Sequence, residues 1–172
     1  MRNTKWNLKT LHTNKNIKIN ELSIDNDILK ILYSRGIKSK KEIKNFLNPK
    51  LENIRDPYTL HDMDKALNII LKAIGEKKSI WIYGDYDVDG ITSTSILYLS
   101  LKELGAHEVN YYIPIRDEGY GLNNEALKKI KDSGADLVIT VDCGITSFEE
   151  IEYANSISLP VIITDHHNLS RK

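Results

Sequence analysis

Ser79–Thr92 reads SIWIYGDYDVDGIT, and its two halves decide the fold class. Ile80-Trp81-Ile82-Tyr83 is a β-branched and aromatic run of strand length. Gly84 ends it, and Asp85, Asp87 and Asp89 follow at alternate positions before Gly90. Clustered carboxylates repel one another and are costly to desolvate, so a fold that gathers three of them needs a counter-charge. A divalent metal with hard oxygen ligands supplies one. Asp-x-Asp-x-Asp-Gly also opens an EF-hand loop, but here the twelfth position is Ile96 rather than Glu, and a strand-like run precedes it instead of a helix. Gly84 and Gly90 suit a tight strand-to-helix turn that points the carboxylates inward. A charged surface turn is the plain alternative.

Downstream, the same rhythm repeats. A helix over about 90–104 ends at Gly105, and a strand runs from Val109 to Pro114. A loop over 115–122 leads to a helix from Asn123 to about Asp132. A third strand, Asp136–Val141, leads into Asp142-Cys143-Gly144. Ser147-Phe148-Glu149-Glu150 has the spacing of a capping box for the next helix, and a fourth strand, Pro160–Thr164, precedes Asp165-His166-His167. Alternating strands and helices imply βαβ units and a parallel sheet, so the fold class is α/β. In such a sheet every strand delivers its C-terminal end to one edge, where ligands bind. Asp85/Asp87/Asp89, Arg116/Asp117/Glu118, Asp142 and Asp165/His166/His167 therefore converge there. One Asp after a strand is ordinarily a helix cap, and one His is ordinarily structural. Four strand ends carrying Asp, His or Arg point to a metal site. Asp142 could bridge two metals, Asp165 could orient a histidine, and a mixed Asp/His set suits Mn2+, with Mg2+ as the alternative. Cys143, the single cysteine, reads as a small buried residue.

Upstream lies a different composition. Residues 1–78 carry 17 Lys+Arg against 9 Asp+Glu, and residues 79–172 carry 7 against 15, so a net charge of zero hides balances of +8 and −8. A basic arm beside an acidic domain suits an anionic polymer, although lysines on a solvated helix surface are the plainer reading. Residues 1–19 read as irregular with one short strand. Glu21–Ser34 reads as a helix stopped by Gly36, and Ser39-Lys40-Lys41-Glu42 as a capping box for a short helix closed by Asn48-Pro49. A further helix starts at Asp62 or Asp64 and stops at Gly75. The expected organisation is a helical region over 1–78 followed by an α/β domain over 79–172. No run approaches the ~20 apolar residues of a membrane span, and MRNTKWNLKT has no apolar core of a secretory signal. A cytoplasmic location is expected, in keeping with a lone cysteine.

GDYDVDG (84–90), TVDCGIT (140–146) and TDHH (164–167) resemble motifs I, II and III of the DHH phosphoesterase superfamily. The likeness is greatest to its bacterial single-strand-specific 5′-to-3′ DNA exonucleases. It extends to Lys5-Trp6, to the Arg35–Pro49 segment, to DPYTLHDMDKA (56–66) and to PIRDEGYGL (114–122). The resemblance implies that Asp87, Asp89, Asp142 and His166 are metal ligands for two ions in the complete enzyme. His167 would contact the scissile phosphate, and Asp85 would support the centre or the attacking water. Arg116 would lie near the nucleotide with the Glu118-Gly119-Tyr120-Gly121 loop. The implied partners are single-stranded DNA and repair proteins such as a helicase and a single-strand-binding protein. Tyr120 or Tyr112 could offer a base-stacking face, or could simply pack. The family also implies a fourth acidic motif, a DHHA1 domain and an OB-fold region beyond Lys172, so the chain reads as the N-terminal third of an exonuclease that binds metal weakly by itself. Two rivals stand beside this reading. One is a DHH phosphoesterase acting on short oligonucleotides, phosphorylated nucleotides or pyrophosphate. Such members place His four residues before the first ligand Asp, where this chain has Tyr83. The other is an inactive fragment that only binds DNA.

Overall fold

The computed structural model describes residues 24–169. The strand expected within 1–19 and Lys5-Trp6 lie outside the described residues. The chain divides into two compact units at 59/60.

The first unit holds helices α1 (Asn26–Ser34) and α2 (Lys40–Leu47). Asp25 caps α1 through its side chain, and Gly36 adopts φ 86° just past its end. The Ser39/Glu42 capping box forms at α2 as its spacing predicts. Leu29, Leu32, Tyr33 and Ile43 are buried together, with Ile24 and Ile37 against them.

The second unit begins with α3 (Met63–Gly75), so the division falls ahead of the boundary expected at 78/79. The reason is packing. Ile70, Ala73 and Ile74 of α3 enter the same apolar cluster as Ile80 and Ile82 of the sheet. Gly75 is the last residue of α3, as expected, but it has no left-handed φ. The reversal falls on Lys77 at φ 56°, with the amides of Lys77 and Lys78 returning to the carbonyls of Ile74 and Ala73. Then follow β1 (Ser79–Gly84), α4 (Val88–Glu103), β2 (Glu108–Tyr112), α5 (Asn124–Asp132), β3 (Leu137–Val141), α6 (Phe148–Ser156) and β4 (Val161–Thr164). The second strand is shorter than the expected Val109–Pro114, because chain beyond Tyr112 leaves the sheet toward a 3-10 turn at Arg116–Glu118. At α6, Ser147 is the N-cap but makes no side-chain capping bond, so the expected capping box does not form.

All strands pair in parallel in the order β2-β1-β3-β4. Side chains alternate between two apolar layers, as a pleated strand requires. Tyr83 and Val138 join the α5 and α6 side with Leu127, Ile130 and Ala154. Ile80, Ile82, Leu137, Ile139 and Val141 join the α3 and α4 side with Ala73 and Leu101. Both faces are thus covered, which is why the strands read as continuous apolar runs. Among the described residues no helix is long and apolar enough to cross a membrane.

The strand order determines where a ligand can sit. From β1 the chain goes to one neighbour, β2, and then returns to the other, β3. The crevice at the C-terminal ends of β1 and β3 is therefore the topological switch point.

Candidate metal centre

Register brings the acids together. Gly84 pairs with Val141, and Val141 with Thr164. Asp85, Asp142 and Asp165 are therefore the first residues beyond the sheet on three adjacent strands, which run about 4.8 Å apart. Two groups of metal-competent side chains result, Asp85/Asp87/Asp142 and Asp142/His166/His167. In each group the ligand atoms lie within 4.8 Å of one another. Asp142 belongs to both.

Each side chain is held for a local reason. Asp87 is the N-cap of α4, and its Oδ1 accepts from the amides of Asp89 (2.9 Å) and Gly90 (3.0 Å). The Gly90 amide leads in holding its carboxyl below the ordinary range. Asp142 sits at φ 62°, a left-handed conformation that Asp and Asn tolerate best among residues with a side chain. Burial pushes its carboxyl up. The His166 ring, with Nε2 2.9 Å from Oδ1, pulls the other way, and the Asp87 charge adds to the rise. Asp85 is 3% exposed, and its buried Oδ1 has no hydrogen-bond partner. A buried carboxylate oxygen without a partner is expensive, and a cation is the partner that this acidic surrounding lacks. Three carboxylates with an imidazole alongside form a donor set that fits Mn2+ or Mg2+.

Asp165 belongs to neither group. Burial acts to raise its carboxyl, but the amides of His167 (3.0 Å) and Ile145 (2.9 Å) and the His167 ring outweigh it and hold it low. Its Oδ1 lies 2.7 Å from Nδ1 of His167, and this contact raises the imidazole above its ordinary value. The Tyr120 hydroxyl lies 3.1 Å from the same nitrogen, and its ring stands edge-on to the imidazole at 5.8 Å. Burial lifts the Tyr120 phenol to about 12, so it stays protonated.

The remaining expected site residues are placed as follows. Asp89 lies exposed in the first turn of α4. Its amide serves Asp87, and its carboxylate joins neither group. Glu118 spends its carboxylate within its own loop, accepting from the Tyr112 hydroxyl and from the Ile115 amide at 3.1 Å. Gly119 takes φ 91° and turns the chain toward Tyr120. Tyr112 packs on Tyr83 with ring centroids 5.4 Å apart, so it is a packing residue. Cys143 is buried, and burial pushes its thiol up to about 12, which removes it as a nucleophile. Arg116 places its guanidinium over the ring of Tyr86, with Cζ 5.2 Å from the centroid, and Tyr86 is a residue that the sequence pattern does not single out.

The turn itself depends on Gly84. A Cβ there would meet Thr94 Oγ1 at 2.2 Å, and that hydroxyl is buried without a partner. Gly84→Ala is expected to lower stability by about 1–3 kcal/mol through overpacking. Thr94→Ala in the same chain should recover most of the loss, because removing Oγ1 strands no partner. Denaturant unfolding of the single and double variants measures this coupling, and simple additivity would refute it.

Comparison with known proteins places the α/β part of the chain in a family. Residues 79–172 match the DHH family, N-terminal domain. The single-stranded-DNA-specific exonuclease RecJ of Bacillus subtilis is 42% identical over 148 residues, covering 86% of this chain and 19% of the relative. The Escherichia coli exonuclease of the same name is 38% identical over 143 residues, covering 81% and 24%. A crystal structure of exonuclease RecJ bound to manganese superposes with TM-score 0.60 at 38% identity, covering 66% of this chain and 29% of that one. RecJ from Thermus thermophilus in complex with Mn2+ gives 0.58 at 32% identity, covering 82% and 19%. The chain spans about a fifth to a quarter of these curated relatives' length, less than the third expected from the motifs.

Proposed function

The chain belongs to the DHH family, and we propose that it is the N-terminal part of a metal-dependent exonuclease that hydrolyses phosphodiester bonds of single-stranded DNA from the 5′ end, in repair and recombination. The observation that carries this reading is the double membership of Asp142, which stands in one ligand group with Asp85 and Asp87 and in another with His166 and His167. One carboxylate between two ligand sets suits a two-ion phosphodiesterase centre. Relatives of 38–42% identity named as single-stranded-DNA-specific exonucleases support the substrate class.

Asp85, Asp87, Asp142 and His166 would hold divalent cations, Mn2+ in first place and Mg2+ as the alternative. Asp89 is proposed as a further ligand from its motif position. When bound, such ions would polarise a phosphodiester oxygen and lower the pKa of water at the centre.

The chain's own residues supply the rest. Asp165 holds His167 through Nδ1 and leaves Nε2 to donate to a phosphate oxygen. Because Asp165 is held low and His167 raised, the pair favours a carboxylate beside an imidazolium, which places positive charge where phosphate charge develops. The Tyr120 ring stands edge-on against the same imidazole, so its role is to pack on and orient His167 rather than to stack on a base. Arg116 offers a planar fork of donors to a second phosphate oxygen.

The test uses the full-length protein with single-stranded DNA labelled at one end or the other, titrated with Mn2+. A 5′ label should be released first as a small product, a 3′ label should persist on shortening fragments, and a chelator should stop both. Release of the 3′ label first, or undiminished cleavage in chelator, would sink the reading.

A further inference from the structure

We infer that Tyr86 is a positioning residue, which holds the Arg116 guanidinium ready for a phosphate of the DNA strand; this rests on the function proposed above. Tyr86 sits between Asp85 and Asp87 in the β1–α4 turn and is half-buried. Arg116 is exposed on the turn after β2, the strand next to β1, with Asp117 and Glu118 beside it in sequence. An arginine on so acidic a rim would ordinarily pair with a carboxylate. Among the described residues Arg116 makes no ion pair, and its guanidinium lies over the Tyr86 ring at 5.2 Å.

The loop keeps it there from both ends. At its base, the Glu118 carboxylate ties the Ile115 amide to the Tyr112 hydroxyl and closes the 3-10 turn Arg116–Glu118. At its tip, the aromatic face carries the cation without using any of its N–H donors. A guanidinium held over a ring keeps its hydrogen-bonding fork for an anion, whereas one paired with Asp or Glu would have it occupied. The ring also limits the rotamers of a long side chain, so less entropy is lost when phosphate binds.

The experiment is a double-mutant cycle in the full-length protein, read as binding of a labelled oligodeoxynucleotide by anisotropy in chelator across a salt series. Tyr86→Leu should weaken binding about two- to fivefold, because the released arginine side chain must then be ordered on binding. Its salt slope should stay at the wild-type value, because no charge is lost. Tyr86→Phe should bind as wild type. Arg116→Gln should weaken binding and flatten the slope by about 0.7 for one lost single-strand phosphate contact. In the Arg116→Gln chain, Tyr86→Leu should add nothing. An equal added loss in that chain would mean that Tyr86 touches DNA directly, and would overturn the inference. So would a Tyr86→Leu protein that binds like wild type, or a Tyr86→Phe protein as weak as Tyr86→Leu. A wild-type protein that binds no single strand would instead overturn the functional reading, and this one with it.

Discussion

Asp142→Asn is expected to reduce Mn2+-dependent cleavage of single-stranded DNA by the full-length protein by roughly 10²–10³-fold or more, while the metal-free protein becomes more resistant to heat. The two effects share a cause. Asp142 is the side chain common to both ligand groups, so its loss weakens both at once. Loss of one preorganised electrostatic group at a reacting centre already costs about 10²–10³ in rate. The stability effect follows from the direction of the pKa shift. Burial raises the Asp142 carboxyl in the folded chain, so its ionised form is better solvated in the unfolded chain. A raised carboxyl contributes stability that is fully present below the ordinary carboxylate value and is lost as pH rises through the folded value. At neutral pH that contribution is gone, and a buried charge remains beside Asp87. Asn removes the charge, keeps the shape and tolerates φ 62° as well as Asp does. Differential scanning calorimetry in chelator should show a higher Tm for Asp142→Asn at pH 7, with the gap closing as pH falls below the carboxylate range. An unchanged gap across that range would contradict the burial argument, and wild-type cleavage with Mn2+ would remove Asp142 from the centre.

Much of this site was legible because its signal was one-dimensional. Parallel strands share a direction, so an acid immediately after each of several strands had to reach one rim. The apolar runs Ile80–Tyr83 and Leu137–Val141 marked those strands clearly. The register Gly84–Val141–Thr164 sharpened this from a shared edge to three neighbouring positions. Features that depend on side-chain rotamers or on local backbone choice were not legible. Nothing in DYD tells that Tyr86 lies against Arg116, since the two are distant in sequence and meet only because β2 flanks β1. Ser147 and Glu150 have capping-box spacing, yet the bond is not made. Gly75 does end α3, but glycine's left-handed backbone is not the reason, because Lys77 takes that conformation two residues later. The family match begins at residue 79, as the composition suggested, but the division of compact units at 59/60 was not legible, because α3 is set apart by composition and joined to the sheet by packing. Asp89 shares a motif with Asp85 and Asp87, but helix geometry turns it out of their group.

Two glycines in helices test how closely the candidate metal centre depends on its turn. Gly75 closes α3 with no atom within 4 Å of a would-be Cβ. Gly90 lies in the first turn of α4, where a Cβ would stand 2.3 Å from the Asp85 carbonyl oxygen and 2.6 Å from its carbonyl carbon and amide nitrogen. Neither has a positive φ, so alanine is conformationally acceptable at both. Propensity alone favours Ala over Gly in a helix by about 0.5–1 kcal/mol. Gly75→Ala should therefore stabilise by about that amount and leave the centre untouched. At Gly90 the same gain opposes overpacking, worth about 1–3 kcal/mol or more. The upper end applies here, because the clashing atoms are backbone and cannot rotate away. Gly90→Ala should thus destabilise by about 1–2 kcal/mol net. The functional loss should be larger than that figure suggests. The displaced atoms belong to Asp85, and the Gly90 amide that moves with them is one of the two donors fixing Asp87. A misplacement of about 1 Å at a reacting centre can cost about 10²-fold in rate. Urea unfolding and Mn2+-dependent cleavage, measured on both variants, should therefore separate: Gly75→Ala more stable and fully active, Gly90→Ala less stable and at least tenfold slower even where it is fully folded. If Gly90→Ala proved as stable and active as Gly75→Ala, the close approach of α4 to Asp85 would not be what builds this centre.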